Sequence, residues 1–476
     1  MEAMPKINNK KTLIGNARSG VNRRARRIAL TALEGALAAV DPREIIQSKV
    51  TLKNNRLRIH QQEFDLDRFN KIVVIGGGKA SGKMAEALEE ILGDRISAGV
   101  VNVPYGKIST FDEMKAFESS NSASRTRIIK LHQAGHPIPD GSGLEGAKEI
   151  VELANQAGKD DLVFCLISGG GSSLMPLPRG EVVLNDKRLI TEKLLRSGAT
   201  INEVNTVRKH ISNFKGGMLA KRAYPATIVN LILSDVIGDP LEFIASGPTI
   251  PDSTTFRDAV GILKRYRLWK ALPKSAKALL IQGEKGKIPE TPKRGDKVFR
   301  KVHSFIIGNN RLASLATCRR LKEQNLSAIL LTSFLEGEAK HVGTMLASVA
   351  KEVLTSGNPS PKPCGIVAGG ETTVTVVGNG KGGRNQEVVL SAALMISGVK
   401  GAVIASLSTD GVDGPTSAAG ALADGETIPR SLGQKLDARN LLANNDSYSF
   451  FSEMDDLILT GPTETNVNDI AVIVVV

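Results

Sequence analysis

Residues 71–84 read Lys71-Ile72-Val73-Val74-Ile75-Gly76-Gly77-Gly78-Lys79-Ala80-Ser81-Gly82-Lys83-Met84, and the architecture of the chain can be worked out from this stretch. An apolar, β-branched run too short for a helix ends at three glycines, and apolar residues then recur at helical spacing. The pattern predicts a strand, a glycine turn and a helix. Such a turn aims backbone N–H groups at one point and Lys79 adds a positive charge, so we expect an anion there, most often a phosphate.

Two familiar phosphate-binding motifs fit this stretch incompletely. Residues 77–83 match G-x-x-x-x-G-K, but Met84 stands where a Walker A loop has a hydroxyl for Mg²⁺. A dinucleotide fingerprint begins at Gly76, but Ser81 replaces its third glycine, and the next predicted strand lacks a ribose-binding acid at its end. The sequence therefore disfavours both motifs, and an ordinary βα turn with solvated lysines remains an alternative.

Length and composition predict a globular α/β protein. A chain of 476 residues suggests two or three domains, and 41% hydrophobic residues with 47 glycines are ordinary for this class. The aromatic content of 4% disfavours stacking surfaces for single-stranded nucleic acid. The net charge of +13 is spread along the chain, and we interpret most of it as solvated surface rather than a nucleic-acid site.

Cysteine usage and hydropathy indicate a soluble cytoplasmic enzyme. The three cysteines lack the spacing of a zinc site or a disulfide framework, and the six histidines lack metal-ligand spacing. The sequence contains no apolar stretch long enough for a signal peptide or a membrane helix. We expect residues 1–20 to be a disordered leader, and residues 21–40 to be a helix that packs on the first domain.

A second glycine-rich turn follows the predicted strand at residues 162–167. It reads Ser168-Gly169-Gly170-Gly171-Ser172. Because the carboxyl ends of parallel strands meet at one edge of a sheet, we expect this turn and Gly76-Gly77-Gly78 to line one crevice. Arg208 and Lys209 lie on a predicted helix at 202–212, which is either a solvated charged face or part of that site.

Aspartates follow two further predicted strands, where they suit metal binding or proton transfer. Asp235 comes after the strand at 228–233, and Asp410 and Asp413 come after the strand at 402–407. Asx turns and a helix cap are the structural alternative for Asp235 and for Asp239 in the same loop.

A fresh alternation of strands and helices follows a proline-, lysine- and glycine-rich segment at 271–297. We therefore expect domains at 21–285 and 286–476. In the second, residues 369–378 are interpreted as a loop carrying Glu371 and an adjacent strand, and a third glycine loop leads into Arg384 and Asn385 at a helix start. An arginine there can fork onto a carboxylate or a phosphate.

Seven motifs along the chain, from about Val21 to the terminus, resemble the glycerate 2-kinases whose C-terminal half is called the MOFRL domain. The motifs occur in the family's order and are Gly76-Gly77-Gly78-Lys79-Ala80, Ser168-Gly169-Gly170-Gly171-Ser172, Val207-Arg208-Lys209-His210, Ser234-Asp235-Val236-Ile237-Gly238-Asp239, Lys381-Gly382-Gly383-Arg384-Asn385-Gln386-Glu387, Thr409-Asp410-Gly411-Val412-Asp413-Gly414-Pro415-Thr416 and Thr460-Gly461-Pro462-Thr463.

The resemblance implies ATP-dependent phosphorylation of D-glycerate to 2-phosphoglycerate and ADP, with Mg²⁺. It implies two three-layer α/β/α domains, the first Rossmann-like with a mainly parallel sheet and the second, the MOFRL domain, with a mixed sheet, and an active site in the interdomain cleft. The family's active-site lysine and arginine fall on Lys79 and Arg384. One departure is Glu464, where the family usually has glycine, and this residue is left out of the site.

The predicted site thus has three groups of residues. The catalytic residues are Lys79 and Arg384, and Mg²⁺ would be held among Asp235, Asp410 and Asp413. The nucleotide and the substrate would be bound by Gly76, Gly77, Gly78, Ser168, Gly169, Gly170, Gly171, Ser172, Arg208, Lys209, Asp235, Glu371 and Asn385.

The expected partners are D-glycerate and ATP, with no nucleic acid and no membrane, and the chain is expected to be a monomer or a homodimer. Two other functions remain open. A hydroxypyruvate reductase-type oxidoreductase would need a nicotinamide site, which the glycine pattern disfavours. A non-catalytic protein that binds anions or nucleic acid would rest on the net charge alone.

Overall fold

The computed structural model describes residues 6–106 and 128–476. The chain forms two compact units, one of residues 45–307 and one that combines Met1–Glu44 with Gly308–Val476. In the described ranges, no helix is both long enough and apolar enough to cross a membrane.

The unit of residues 45–307 contains a six-stranded sheet and a small three-stranded antiparallel sheet. Its strands are β1 (Val50–Lys53), β2 (Arg56–Ile59), β3 (Gln62–Asp65), β4 (Lys71–Gly77), β5 (Ile96–Pro104), β6 (Ile129–Ala134), β7 (Asp161–Ile167), β8 (Thr227–Leu233) and β9 (Val302–Gly308). Its α-helices include Ser81–Leu92, Gly141–Gln156, Gly171–Leu174, Leu184–Arg196, Ile201–His210, Met218–Ala223, Phe256–Arg265 and Lys274–Glu284.

The large sheet of this unit has the strand order of a Rossmann fold. The order is β6-β5-β4-β7-β8-β9, and β4 to β8 pair in parallel. Every residue of β7 and β8 is buried, as expected where helices cover both faces of a parallel sheet. The strand order reverses between β4 and β7, and open α/β sheets bind their ligands at this point. The prediction of a Rossmann-like, mainly parallel sheet is confirmed.

The second unit is built on a mixed sheet. Its strands are β10 (Ser327–Leu335), β11 (Cys364–Gly370), β12 (Ala402–Ser408), β13 (Gly420–Asp424), β14 (Leu457–Ile458) and β15 (Asp469–Val475). Their order is β10-β11-β15-β12-β13-β14; strands β10 and β11 pair in parallel, and the other neighbouring strands pair antiparallel. The prediction of a mixed sheet is confirmed.

The helices of the second unit come from both ends of the chain. They are Lys10–Gly15, Gly20–Ala39, Asn310–Glu323, Ala339–Ser356, Arg384–Met395, Thr427–Gly433, Ala438–Ala443 and Ser447–Glu453, and the helix Pro42–Lys49 spans the passage into the other unit. The expected strand near residues 374–377 is absent from the structure, where only an isolated bridge at Thr373 occurs.

A buried arginine ties the N-terminal helix Gly20–Ala39 to the second unit. The Nε of Arg26 lies 2.6 Å from a carboxylate oxygen of Asp424, and its Nη1 lies 2.6 Å from one of Asp456. All three side chains are fully buried, and Arg430 also pairs with Asp456 at 2.9 Å. The helix was correctly predicted, but the expectation that it packs on the first domain is wrong.

Two further expectations about chain organisation need correction. Residues 10–15 of the expected leader form a helix, and Leu13 within it is fully buried, so the described part of the leader is ordered onto the second unit. The expected boundary at 285/286 also differs from the division of the structure, because strand β9 completes the first sheet and the crossing follows it at residue 307.

Candidate active site

The two predicted glycine turns lie side by side and are hydrogen-bonded to each other. The parallel register pairs Gly77 at the end of β4 with Ile167 at the end of β7. The backbone N–H of Lys79 donates to the carbonyl of Gly169 at 2.7 Å, and that of Ala80 donates to the Ser168 hydroxyl at 3.0 Å. The prediction that the turns share one edge of the sheet is therefore correct within this unit.

Two glycines of these turns hold conformations and spaces that a side chain would disturb. Gly78 has φ +156°, and a Cβ there would lie 2.1 Å from the Ser168 hydroxyl oxygen. Gly170 has φ +81°, and a Cβ there would lie 2.8 Å from the His136 ring and 3.4 Å from Cγ of Lys79. The stem of Lys79 thus passes close to the second glycine turn.

Three cationic side chains gather at the end of the second glycine turn. Arg208 donates a hydrogen bond to the Ser172 hydroxyl, and Lys215 donates from Nζ to the Ser172 carbonyl at 2.7 Å. Lys187 reaches the hydroxyl of Ser212 at 3.5 Å. We call Lys187, Arg208 and Lys215 the cation cluster; Arg208 was predicted as a binding residue, whereas Lys187 and Lys215 were not.

The two lysines of the cation cluster are buried, and no carboxylate among the described residues neutralises any of its three members. Lys187 and Lys215 are 3% and 0% exposed. Burial lowers the pKa of Lys187 to about 7 and the pKa of Arg208 to about 10, and Arg208 adds to the effect on Lys187. Burial also holds the pKa of Lys215 well below its usual range, with repulsion from Lys187 and Arg208 as further causes. In residues 6–106 and 128–476, none of the three forms a salt bridge with a carboxylate.

A strained backbone segment lies next to Ser172, at the end of the second glycine turn. Ala245, Ser246 and Gly247 have φ values of +50°, +61° and +55°, and a residue other than glycine rarely adopts this region. The hydroxyl of Ser246 lies 2.8 Å from that of Ser172 and donates to the Asn205 side chain at 3.0 Å. Backbone strain of this kind concentrates at functional sites, where the surrounding structure holds it in place.

Two other predicted residues of this unit have different surroundings. Lys209 is adjacent to Arg208 in sequence but pairs with the buried Asp252 at 2.6 Å, so its charge is compensated within the fold. Asp235 follows β8 after Ser234, at the edge where the glycine turns lie. The predicted residues that the structure brings together here are Gly76, Gly77, Gly78, Lys79, Ser168, Gly169, Gly170, Gly171, Ser172 and Arg208.

In the second unit, Arg384 is held between two carboxylates. Its Nε and Nη2 fork onto Asp469, the latter at 2.9 Å, and its Nη1 donates to Glu371 at 2.7 Å. These carboxylates raise the pKa of Arg384 although burial alone would lower it. Burial raises the pKa of Asp469, and the contact with Arg384 opposes that rise. The bidentate pair fixes the plane and position of the guanidinium.

The sheet register explains why these residues meet. Asp469 begins β15, which runs antiparallel between β11 and β12, and it pairs with Gly370 and with Ser408 at their ends. Glu371 directly follows β11 and Asp410 stands two residues after β12, so both lie at the same edge of the sheet. The carboxylate of Asp410 accepts from the Ser408 hydroxyl at 2.9 Å and the Val412 N–H at 3.0 Å.

Asp413 has a structural role in this arrangement. Its carboxylate accepts from the backbone N–H of Asn385 at 3.1 Å and of Gln386 at 2.9 Å, at the start of the helix Arg384–Met395. The side chain of Asn385 also donates to it at 3.2 Å. Burial and the nearby Asp469 raise the pKa of Asp413 to about 6. Asp413 therefore caps the helix that carries Arg384, a role that was not predicted for it.

Comparisons with known proteins agree with this architecture. The model of a domain of unknown function (DUF4147) matches residues 28–281, and that of the MOFRL family matches residues 364–469. A glycerate 2-kinase from Pyrococcus horikoshii is 42% identical, over 94% of this chain and 97% of its own. The crystal structure of a glycerate kinase from Thermotoga maritima is 37% identical with a TM-score of 0.81, over 94% of this chain and 99% of its own. This chain belongs to the glycerate kinase family.

One similar protein bears a different name. A putative hydroxypyruvate reductase from Agrobacterium vitis is 39% identical to this chain, over 95% of it and 94% of its own length. In this member of the glycerate kinase family, Ser81 occupies the place of the third glycine of a dinucleotide fingerprint, and its buried hydroxyl hydrogen-bonds to Ser168 at 3.2 Å.

The described residues were also tested for a metal site. In the parts of the chain that the structure describes, no group of three or more His, Cys, Asp or Glu side chains is arranged to hold a metal ion. Mg²⁺ in kinases is commonly bound by one or two carboxylates together with the phosphates of the nucleotide, so a kinase that uses Mg²⁺ does not require such a cluster. Of the three predicted metal-binding aspartates, Asp413 uses its carboxylate to accept hydrogen bonds at the helix start.

Sequence reasoning missed Asp469, Lys187 and Lys215. Asp469 had a detectable signal, because a charged residue at the head of the wholly apolar run 470–476 is unusual. Lys187 had none, since single lysines on amphipathic helices usually lie at the surface. Lys215 is followed by two glycines with positive φ, Gly216 and Gly217, which bend the chain and turn its side chain inward.

Proposed function

We propose that this protein is an ATP-dependent glycerate 2-kinase, which phosphorylates D-glycerate to 2-phosphoglycerate and releases ADP. One observation carries the proposal: two mutually hydrogen-bonded glycine turns end adjacent strands at the switch point of a Rossmann-type sheet, with Lys79 beside them. The names of the relatives, glycerate 2-kinase and glycerate kinase, support the same substrate.

Phosphoryl transfer mainly requires positioned groups that cancel negative charge. We assign Lys79 to the transferring phosphoryl group and the substrate. The backbone N–H groups of Gly76 to Gly78 and of Ser168 to Ser172 would bind nucleotide phosphates, with Arg208 supplying charge at the end of the second turn.

Arg384 would bind the glycerate carboxylate or the phosphoryl oxygens. Three of its five N–H bonds are used in its described contacts with Asp469 and Glu371, so two remain to donate to a ligand. Because Asp469 holds the guanidinium plane, a ligand would meet a donor that is already oriented. Asn385 and Glu371 would complete this region, the latter through its contact with Arg384.

Mg²⁺ would neutralise part of the charge on the phosphates when bound. We propose that Asp235 and Asp410 would hold it, or would accept the proton of the attacking hydroxyl. We also propose a cytoplasmic location, which agrees with three buried free cysteines, and partners limited to small molecules, with the chain a monomer or a homodimer.

Phosphorus NMR of the reaction product tests this function directly. D-glycerate with ATP and Mg²⁺ should give ADP and one new phosphomonoester, coupled to the C2 proton of glycerate. A parallel reaction with hydroxypyruvate and NADH tests the name carried by the Agrobacterium vitis relative. Oxidation of NADH without formation of ADP in the glycerate reaction would refute the kinase, and a phosphate on the 3-hydroxyl would correct the regiochemistry.

A further inference from the structure

The cation cluster gathers three basic side chains whose described hydrogen-bond partners include no carboxylate. Lys187 comes from the helix Leu184–Arg196, Arg208 from the helix Ile201–His210 and Lys215 from the loop that follows it. Their hydrogen-bond partners in the described part of the chain are neutral groups, namely the hydroxyls of Ser172 and Ser212, the side chain of Asn205 and the Ser172 carbonyl. Burying basic groups together without a counter-charge is unfavourable. We therefore expect the cation cluster to have a role other than stabilising the fold.

A structural explanation is weak because the same segment neutralises another buried lysine. Lys209 is as buried as Lys215, and it is matched by Asp252 at 2.6 Å. The chain thus places a carboxylate beside Lys209 and, among the described contacts, only neutral hydrogen-bond acceptors beside Lys187, Arg208 and Lys215. The difference suggests that the missing negative charge arrives with a ligand.

The cluster is open to solvent on the side of the second glycine turn. Arg208 is only half-buried, as are Ser172, Ser173 and Gly170 at the end of that turn. Arg208 and Lys215 both bond to Ser172, so an anion at this residue would meet charged donors from two segments. A phosphate group, with up to two negative charges and three terminal oxygens, matches this set better than a single carboxylate does.

We propose that Lys187, Arg208 and Lys215, together with the hydroxyls of Ser172 and Ser246, form a binding site for one phosphate group. The phosphate belongs either to the nucleotide or to the phosphorylated three-carbon product. The assignment of these two sources rests on the proposed kinase function, whereas the site itself rests on the buried, unmatched cations.

Isothermal titration calorimetry with full-length variants tests the site. Lys187→Met and Lys215→Met remove the charge and keep the aliphatic stem, and Lys221→Met, an exposed lysine of the same unit, is the matched control. The ligands are inorganic phosphate, ADP, 2-phosphoglycerate and D-glycerate. Loss of one charged hydrogen bond to phosphate should weaken binding about tenfold to a hundredfold.

Both variants should bind ADP or 2-phosphoglycerate at least about tenfold more weakly than the wild type, and which of the two is affected identifies the source of the phosphate. Binding of D-glycerate and all properties of Lys221→Met should be unchanged. Near-UV circular dichroism and Tm of the unliganded variants verify folding, and a variant that misfolds is replaced by Arg208→Gln, whose side chain is partly exposed.

Wild-type affinity of the folded variants for every phosphate ligand would overturn the site, as would a loss confined to D-glycerate. Failure of the kinase function is a separate result. A wild-type protein that binds ADP or inorganic phosphate through these lysines, but forms no phosphoglycerate, would retain the site and reject the reaction.

Discussion

Arg26 and the two lysines of the cation cluster are all buried, but their surroundings differ in charge. Arg26 in the second unit lies between Asp424 and Asp456, each 2.6 Å away. Lys187, Arg208 and Lys215 in the first unit touch hydroxyls, an amide and a carbonyl. The fold therefore supplies carboxylates that neutralise Arg26 and, within the described ranges, supplies none to neutralise the cation cluster.

The comparison separates charges that hold the fold together from charges kept for a ligand. A buried cation with carboxylate partners contributes to a defined packing, and its loss leaves those carboxylates unmatched. A buried cation without such partners lowers the stability of the empty protein, and binding of an anion recovers that free energy. Arg384 is intermediate, because two carboxylates orient it while part of its hydrogen-bonding capacity remains available.

Removal of Arg26 should have the largest effect on stability. Arg26→Met leaves Asp424 without its partner in the interior, so the free energy of unfolding should fall by about 3–5 kcal/mol in urea denaturation. Arg24→Met, at an exposed position of the same helix, should change it by less than about 0.5 kcal/mol. Lys187→Met should not lower the free energy of unfolding. A decrease as large as that caused by Arg26→Met would contradict the proposed difference between the two regions.

Activity should be most sensitive to Lys79 and Arg384. Lys79→Ala and Arg384→Ala should each lower kcat by about a hundredfold or more, since each removes a group that stabilises transferred charge. The exposed residues Lys71 and Arg311 give matched controls, whose alanine variants should keep wild-type turnover in a coupled ADP assay. Normal turnover of both test variants would contradict the site assignment.

The cation cluster should give stability a distinctive dependence on pH. The pKa of Lys187 is about 7 in the fold against 10.5 for an ordinary lysine. Between these values the unfolded chain binds more protons than the folded one, so this group's contribution to stability is present above pH 10.5 and is lost as pH falls through 7. The slope of stability between pH 7 and 9.5 should be smaller in Lys187→Met. If stability changed with pH equally in the variant and the wild type, Lys187 would not be the source of this pH dependence.

The smallest predicted effect concerns the cap of the Arg384 helix. The pKa of Asp413 is about 6 in the fold against an ordinary 3.8, so its contribution to stability is present below pH 3.8 and is lost as pH rises through 6. Asp413→Asn should remove this part of the pH dependence while keeping an acceptor at the helix start. Thermal melts from pH 4 to 7 measure it, and an unchanged profile would argue that Asp413 titrates normally.

The local architecture around the glycine turns could be predicted because its signals are local. The apolar run before Gly76 gave strand β4, Lys71–Gly77, and the spacing after it gave the helix Ser81–Leu92. The meeting of the two turns then follows from the parallel sheet alone. These steps need only neighbouring residues and one rule of sheet topology.

The partners of Arg26 could not be predicted, because they are distant in sequence. Asp424 lies 398 residues away and Asp456 lies 430 residues away. An arginine among several on an amphipathic helix has the pattern of a solvated charge, and the apolar face of that helix fits either domain. The same reason hid Lys187, whose burial depends on how three separate segments pack.

The helix Gly20–Ala39 has a consequence for synthesis of the protein. It leaves the ribosome with its apolar face formed, while Asp424 is still 398 residues from being translated. At about 5–20 residues per second the wait is roughly 20–80 s, during which that face is bare or chaperoned. A chain that ends before residue 424 would lack the carboxylates that pair with Arg26. Stable packing of the N-terminal helix therefore requires an intact C-terminal region.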